Sequence, residues 1–354
     1  MAQQGKVASE AKPIPERQSF YDKIAPHALA PLWEVLDEIV TPEPRIEVRP
    51  HLWRYSELRR FMMEAGALLT AEEATRRVLV LENPAFPGQS KATSTLFAGV
   101  QLVLPGEIAP AHRHTQSALR FVLEGEQGYT SVGGERTTMH PGDFIITPPW
   151  AFHDHGNEGK EPVLWLDVLD APMVQFFDTS FAERHNEKKQ IVHRPEGDAL
   201  ARYGTGLLPL KNEHPYGLTA PVFNFPYQRT RAALLAAAHG AAADPHDAVA
   251  LRFANPQDGS WAMPTIATWM MYLPAGFKTR PMRSTDGIVI AVAEGSGAAR
   301  IGDHVMGFGA KDVMALPNWS WRSFEAKTNC FLFCASDRGV QEKLGFWREE
   351  RAEI

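Results

Sequence analysis

The sequence predicts a mainly β protein made of two related β barrels, with helical segments ahead of the first and between the two. Short β-type runs broken by Gly or Pro turns every eight to twelve residues fill residues 93–170 and return over 261–338. That rhythm belongs to sandwiches and barrels. The second observation is an internal repeat. His112-x-His114 is followed after nine residues by Glu124-Gly125, and Met282-Arg283-Ser284 is followed after nine by Glu294-Gly295. Gly106 and Gly276 stand six positions ahead of the two blocks. Pro148-Pro-Trp150-Ala-Phe-His153 is matched by Pro317-Asn-Trp319-Ser-Trp-Arg322, at an offset of 169 residues against 170 for the first block. The third observation is compositional: 27 glycines and 27 prolines in 354 residues supply the turns such a fold needs.

Composition also bounds function. A hydrophobic content of 44% and a charged content of 22% suit a globular chain long enough for two cores. A net charge of −6 and a pI near 6.1, with no basic stripe, exclude a nucleic-acid footprint. No apolar run approaches the ~20 residues of a membrane span, and the polar N-terminus lacks an apolar leader segment. Cys330 and Cys334 lie in a Phe-rich apolar run and read as buried thiols in a reducing cytoplasm.

Along the chain, residues 1–16 are polar and expected to fray. Residues 20–40 carry Leu29, Leu32, Trp33, Val35, Leu36 and Ile39 at helical spacing, and residues 55–69 repeat the pattern. Both read as helices whose apolar stripe packs on a barrel or a neighbouring subunit. Strands begin at 77–82 and 94–104. Residues 171–184 and 230–239 look helical, whereas 186–229, with several prolines and little periodicity, reads as an irregular crossing. The expected organisation is an N-terminal helical segment (1–75), a first barrel (76–185), the crossing (186–229) and a second barrel (230–354).

The chemistry centres on three histidines. Two apart on one strand, His112 and His114 project from the same face. Three or four short strands then separate them from His153, enough for a sheet to return a third imidazole to the first two. Three convergent imidazoles make a metal site. The second repeat has Met282, Ser284 and Arg322 instead, so the metal belongs to the first barrel alone. Three neutral imidazoles leave a divalent ion its full charge and open positions, which favours an anionic chelating ligand. By ligand type alone, zinc for hydrolysis fits as well as iron.

Around this centre, Arg120, six residues after His114, is expected on the same strand with the same parity, facing a substrate carboxylate bidentately. His155, two after His153, is placed to act as a general acid–base. Asp167, in an apolar run, needs a partner if buried and is expected to orient His155, Arg120 or a ring substituent of the substrate. Gln101 and Gln116 read as hydrogen-bond donors in the pocket or as barrel packing. Phe97 and Gly99, on the neighbouring strand, are where side-chain size would set substrate choice. Trp150 and Phe152 should pack the barrel mouth. His140, His185, His193, His214, His239, His246 and His304 are scattered through loops and receive no role.

The motifs Gly106-x5-His112-x-His114 and Gly142-x5-Pro148-x4-His153-x3-Asn157 resemble the two cupin motifs. The acidic ligand usual after the second histidine is missing, since residues 115–120 hold no Asp or Glu. That departure, the run from His112 to Gly125 and the metal-free second copy are similar to the gentisate 1,2-dioxygenase family, which includes salicylate, hydroxynaphthoate and nitrosalicylate dioxygenases. The resemblance spans roughly residues 76–338. It implies a bicupin of two double-stranded β-helix (jelly-roll) barrels and a homotetramer. It also implies one Fe(II) per chain in the N-terminal cupin, with an aromatic hydroxy acid and O2 as substrates. A carboxylate-binding arginine is implied at Arg76 or Arg77, with Arg76 preferred. Two other readings stand beside it: a zinc or manganese cupin isomerase or hydrolase, and a non-catalytic cupin binding protein.

Overall fold

Proline and a left-handed turn break the first expected helix in two. In the computed structural model, which describes residues 15–211 and 216–353, α1 (Pro15–Ile24) is followed by a single 3-10 turn and then by α2 (Leu32–Ile39). Ala28 takes φ 55° and Pro31 caps α2, so the 20–40 stretch cannot run as one helix. Residues 1–14, most of the polar start expected to fray, lie outside the described residues, as does His214. Residues 1–45 form one unit and 46–354 a second. Within the first unit, α2 leaves Leu32, Trp33, Leu36 and Ile39 exposed.

The second unit opens with β1 (His51–Trp53), α3 (Tyr55–Leu68) and α4 (Ala71–Ala74). The first repeat then runs through β2 (Val78–Val80), β3 (Phe97–Val103), β4 (Ile108–His114), β5 (Ala118–Glu124) and β6 (Gly128–Val132). It continues with β7 (Glu135–Met139), β8 (Phe144–Thr147), β9 (His153–Asn157) and β10 (Val163–Leu169). After it come α5 (Ala171–Phe176), β11 (Ala182–Arg184), α6 (Asp198–Tyr203), β12 (Asn224–Phe225) and α7 (Tyr227–Gly240). The second repeat comprises β13 (Val249–Arg252), β14 (Ala267–Leu273), β15 (Met282–Ser284), β16 (Ile288–Glu294) and β17 (Gly297–Ile301). It closes with β18 (His304–Phe308), β19 (Val313–Leu316), β20 (Arg322–Ala326), β21 (Cys330–Ser336), α8 (Arg338–Leu344) and β22 (Glu349–Arg351).

Two of the expected elements come out differently. The 171–184 helix stops at Phe176; Asp178 turns left-handed (φ 53°), and β11 then pairs in register with His112–His114 of β4. The crossing is not irregular throughout, because it carries α6 and β12, and its helix begins at Tyr227.

Each repeat pairs a six-stranded antiparallel sheet with a five-stranded one. The first uses β12-β8-β5-β10-β3-β2 and β11-β4-β9-β6-β7; the second uses β1-β19-β16-β21-β14-β13 and β18-β17-β20-β15-β22. The six-stranded sheets stack back to back. Along β21, Phe331, Phe333 and Ala335 join the core shared with the first repeat, while Cys330, Leu332 and Cys334 face the second repeat's own interior. Phe333 stacks on Phe121 of β5 at 4.5 Å between ring centroids and meets Phe144 at 5.2 Å. Strands covered on both faces have no polar side to show, which is why β5, β10 and β21 read as nearly continuous apolar runs. Both cysteines are buried and free.

The duplication extends further than its motifs. β1, ahead of the first repeat, pairs with β19 of the second, and β12, ahead of the second, pairs with β8 of the first. Each following helix ties both repeats together. The Tyr55 amide donates to Asp312 Oδ1 while its hydroxyl and Arg59 bind Glu124. The Tyr227 amide donates to Asp143 Oδ1 while its hydroxyl and Arg231 bind Glu294. The arms are exchanged, so neither repeat is complete alone.

Two outcomes test this packing. Phe333→Ala should cost about 3–5 kcal/mol of stability, read as a lower midpoint in chemical denaturation with an unchanged slope. Asp170 holds the end of β10 to the second repeat, accepting from Ser117 N (2.9 Å) and Thr265 Oγ1 (2.6 Å), and burial raises its carboxyl to about 6. The folded chain thus binds this proton more tightly than the unfolded chain, and stability falls as pH rises from about 4 through 6. Denaturation at pH 4.5 and 7 should show Asp170→Asn losing on the order of 2 kcal/mol less than the parent over that interval.

Candidate metal centre

His112 and His153 stand directly opposite each other on the β4–β9 pair, and His114 lies two residues further along β4. Their ring centroids are 4.3, 4.9 and 5.2 Å apart, and one nitrogen from each lies within 4.8 Å of the others. Local backbone sets the tautomers. The Nδ1 of His114 donates to the Gln116 carbonyl (2.8 Å) and that of His153 to the Ala151 carbonyl (2.9 Å). A carbonyl only accepts, so the proton sits on Nδ1 and Nε2 is left as the ligand atom. His112 Nδ1 lies 3.4 Å from the Pro110 carbonyl and also touches Arg76 Nη2.

All three rings are held neutral. Burial, reinforced by Arg76, lowers His112 to about 3; burial lowers His114 to about 4 and takes His153 well below its ordinary range. Neutral imidazoles, two of them with Nε2 oriented by a carbonyl on Nδ1, are what a divalent transition metal needs, and the donor set fits such an ion.

The facing six-stranded sheet supplies the opposite wall of a cavity of about 290 Å³. Register places Arg120, Asp167, Gly99 and Val80 in one row across β5, β10, β3 and β2. Arg120 therefore stands on β5, the strand after His114 and in the other sheet. The turn at residues 115–117 defeats the expected shared parity, although the guanidinium still reaches the cavity. Its Nε is 3.6 Å from Asp167 Oδ1, an ion pair beyond hydrogen-bond distance, and Nε has no hydrogen-bond partner among the described residues. Its Nη1 donates to Thr147 Oγ1 (2.5 Å) and its Nη2 to His155 Nε2 (3.0 Å). Asp167 accepts from Trp165 Nε1 (3.0 Å), and burial raises it to about 6 against the pull of Arg120.

His155, on β9 with His153, is buried between the two sheets beside Arg120 rather than on the cavity surface. Its Nδ1 bonds Thr130 Oγ1 (2.7 Å), the residue opposite it on β6, and its Nε2 is taken by Arg120. Burial and Arg120 keep it neutral, and both of its nitrogens are engaged. Arg76 lines the cavity, and burial lowers it to about 10, where it stays cationic. Arg77 turns away to pair with Glu107 and the Leu69 carbonyl. Gln101 and Phe97 line the cavity with Val78, Ala118 and Leu169. Gln116 does not: its amide donates to Ser180 Oγ (2.9 Å), and only its carbonyl serves the site, through His114.

At Gly99 a Cβ would stand 2.5 Å from Val78 Cγ1 and 3.2 Å from the Phe97 ring, so any larger side chain must displace both. Trp150 and Phe152 lie outside the cavity against the Arg113 guanidinium, at 4.6 and 4.5 Å. Sequence reasoning missed Thr130, Thr147, Val78, Val80, Ala118 and Leu169. Only the two threonines, polar within β-type runs, carried any signal.

A cupin-type metal centre facing a largely apolar wall that carries two arginines and one carboxylate is the class that fold and site define. Residues 99–169 match the cupin domain family. The chain is 53% identical to gentisate 1,2 dioxygenase 1 of Aquipseudomonas alcaligenes over 95% of this chain and 96% of that protein. It is 38% identical to a Streptomyces gentisate 1,2-dioxygenase, over 92% of each. Its fold superposes on the crystal structure of salicylate 1,2-dioxygenase from Pseudoaminobacter salicylatoxidans with gentisate at a TM-score of 0.89, with 31% identity and 98% of this chain covered. The chain belongs to the gentisate 1,2-dioxygenase family of ring-cleaving dioxygenases.

Metal content tests the centre directly. His153→Ala should bind less than about a tenth of the parent's divalent metal by elemental analysis after dialysis. Substitution of the exposed His140, by contrast, should leave metal content unchanged.

Proposed function

We propose that the protein is an Fe(II)-dependent dioxygenase acting on gentisate, or on a closely related substituted salicylate or hydroxynaphthoate. It opens the ring between the carboxyl-bearing and hydroxyl-bearing carbons. The observation that carries this reading is the charge of the cavity: three neutral imidazoles on one wall, and Arg76 and Arg120 against the single carboxylate of Asp167 on the other. A divalent ion bound there keeps its full charge, and a chelating anion is the ligand that satisfies both walls.

When bound, ferrous iron supplies the electron exchange that lets dioxygen react with an aromatic ring. One carbon–carbon bond breaks and both oxygen atoms enter the ring-opened product, so no external reductant is required. The chain's own groups bind and orient. Arg76 meets the carboxylate, Arg120 is held in place by His155, Thr147 and Asp167, and Gln101 offers an amide to the substrate oxygens. Phe97, Gly99 and Val78 define the slot for the ring. Burial strengthens each of these contacts by excluding water.

The exposed apolar residues of α2 support a homo-oligomer, which we take to be a tetramer. Two buried, unpaired thiols support a cytoplasmic location. No helix among the described residues is long and apolar enough to cross a membrane.

Anaerobic reconstitution with Fe(II), followed by oxygen uptake with gentisate, salicylate, 5-substituted salicylates and 1-hydroxy-2-naphthoate in parallel, tests the proposal. Equimolar oxygen consumption with loss of the aromatic absorbance is expected, strongest with gentisate and abolished by a chelator. Turnover that persists without oxygen, or after the metal is stripped, would overturn it.

A further inference from the structure

The second repeat keeps a cavity where its metal ligands would have stood. Met282 and Arg322 face each other on β15 and β20 as His112 and His153 do on β4 and β9. Beside them opens a cavity of about 370 Å³, lined by Met282, Arg322, Arg252, Trp261, Trp269 and Asp286 among others. Trp269 occupies the position 170 residues beyond Gly99 and stands 6.3 Å from Trp261, ring to ring. An open slot beside a metal has become an indole-walled pocket beside a guanidinium.

That guanidinium is short of a partner. Arg322 is 7% exposed, and its Nη2 donates to Ser284 Oγ at 2.8 Å. Its Nη1 is shielded from solvent and has no hydrogen-bond partner among the described residues. A buried N–H of a charged group left unmet is costly, and most native proteins avoid it. The acids on the same cavity already have partners. Asp244 and Asp247 pair with Arg351 at 3.3 and 2.6 Å, and Asp286 accepts from Ser336 Oγ and Trp347 Nε1. Arg252 and Arg338 each place a guanidinium 5.5 Å from the Trp261 ring, and Arg338 is paired with Glu342 at 2.7 Å.

We infer that this cavity is a second binding site, for an aromatic monocarboxylate whose carboxylate meets the Arg322 guanidinium and whose ring lies against Trp261 and Trp269. An anion is what a buried, under-bonded guanidinium lacks, and a flat apolar body is what two indoles accept. The site is separate from the metal centre and takes its ligand without turnover, since it has no imidazole cluster.

Fluorine NMR of 4-fluorobenzoate titrated into the metal-loaded protein tests this. The expected result is a bound species that survives Arg120→Gln but is lost, or weakened at least about tenfold, by Arg322→Gln. Arg252 is exposed, so Arg252→Gln leaves the fold intact and should weaken the same species several-fold, which keeps the test open if Arg322→Gln fails to fold. The inference is overturned if the protein shows no bound species, or if every bound species survives both the Arg322 and the Arg252 substitutions.

Discussion

The opposition of His112 and His153 across β4 and β9 is the constraint on which the rest depends. Directly opposed residues in a sheet have only a few ångströms of freedom, so the pairing register alone brings two imidazoles together and the strand period brings the third. The carbonyls of Ala151 and Gln116 then turn the rings so that Nε2 atoms converge. A slip of one residue on either strand would send these side chains to the other face of the sheet.

The facing wall must be equally rigid, because a buried guanidinium acts on substrate only where its position is fixed. Arg120 is held from three directions, by Thr147, His155 and Asp167. The sheet that bears it is buried on its other face against the second repeat through Phe121 and Phe333. The second repeat thus contributes to the site as a backing layer. The exchanged arms add to this: β1 and α3 engage the second repeat through β19 and Asp312, and β12 and α7 engage the first through β8 and Asp143.

Much of this was legible in the chain. The repeat, the three histidines and the turn-punctuated strands are local patterns, and they specified two linked β units with a histidine cluster in the first. Other features were hidden for physical reasons. Arg120 was placed correctly for the wrong reason, because parity cannot be carried across an unrecognised turn. His155 has the spacing of a cavity residue, yet what fills its two nitrogens, Thr130 and Arg120, is decided by cross-strand register. Gln116 looked like a pocket donor, but β11, missed as helix, draws its surroundings outward to Ser180. The arm exchange left a faint trace, a Tyr-x3-Arg spacing at Tyr55–Arg59 and again at Tyr227–Arg231, too short to stand out against chance.

The central claim is that two walls of one cavity, one ligating and one cationic, act on a single chelating anion. A crystal structure of the iron-loaded protein with gentisate, prepared without oxygen, tests it most directly. The account predicts carboxylate and adjacent hydroxyl oxygens both on the metal, with Arg76 or Arg120 within hydrogen-bond distance of the carboxylate. Gentisate held by the arginines with neither oxygen on the metal, or histidine rings turned away from a common point, would contradict it.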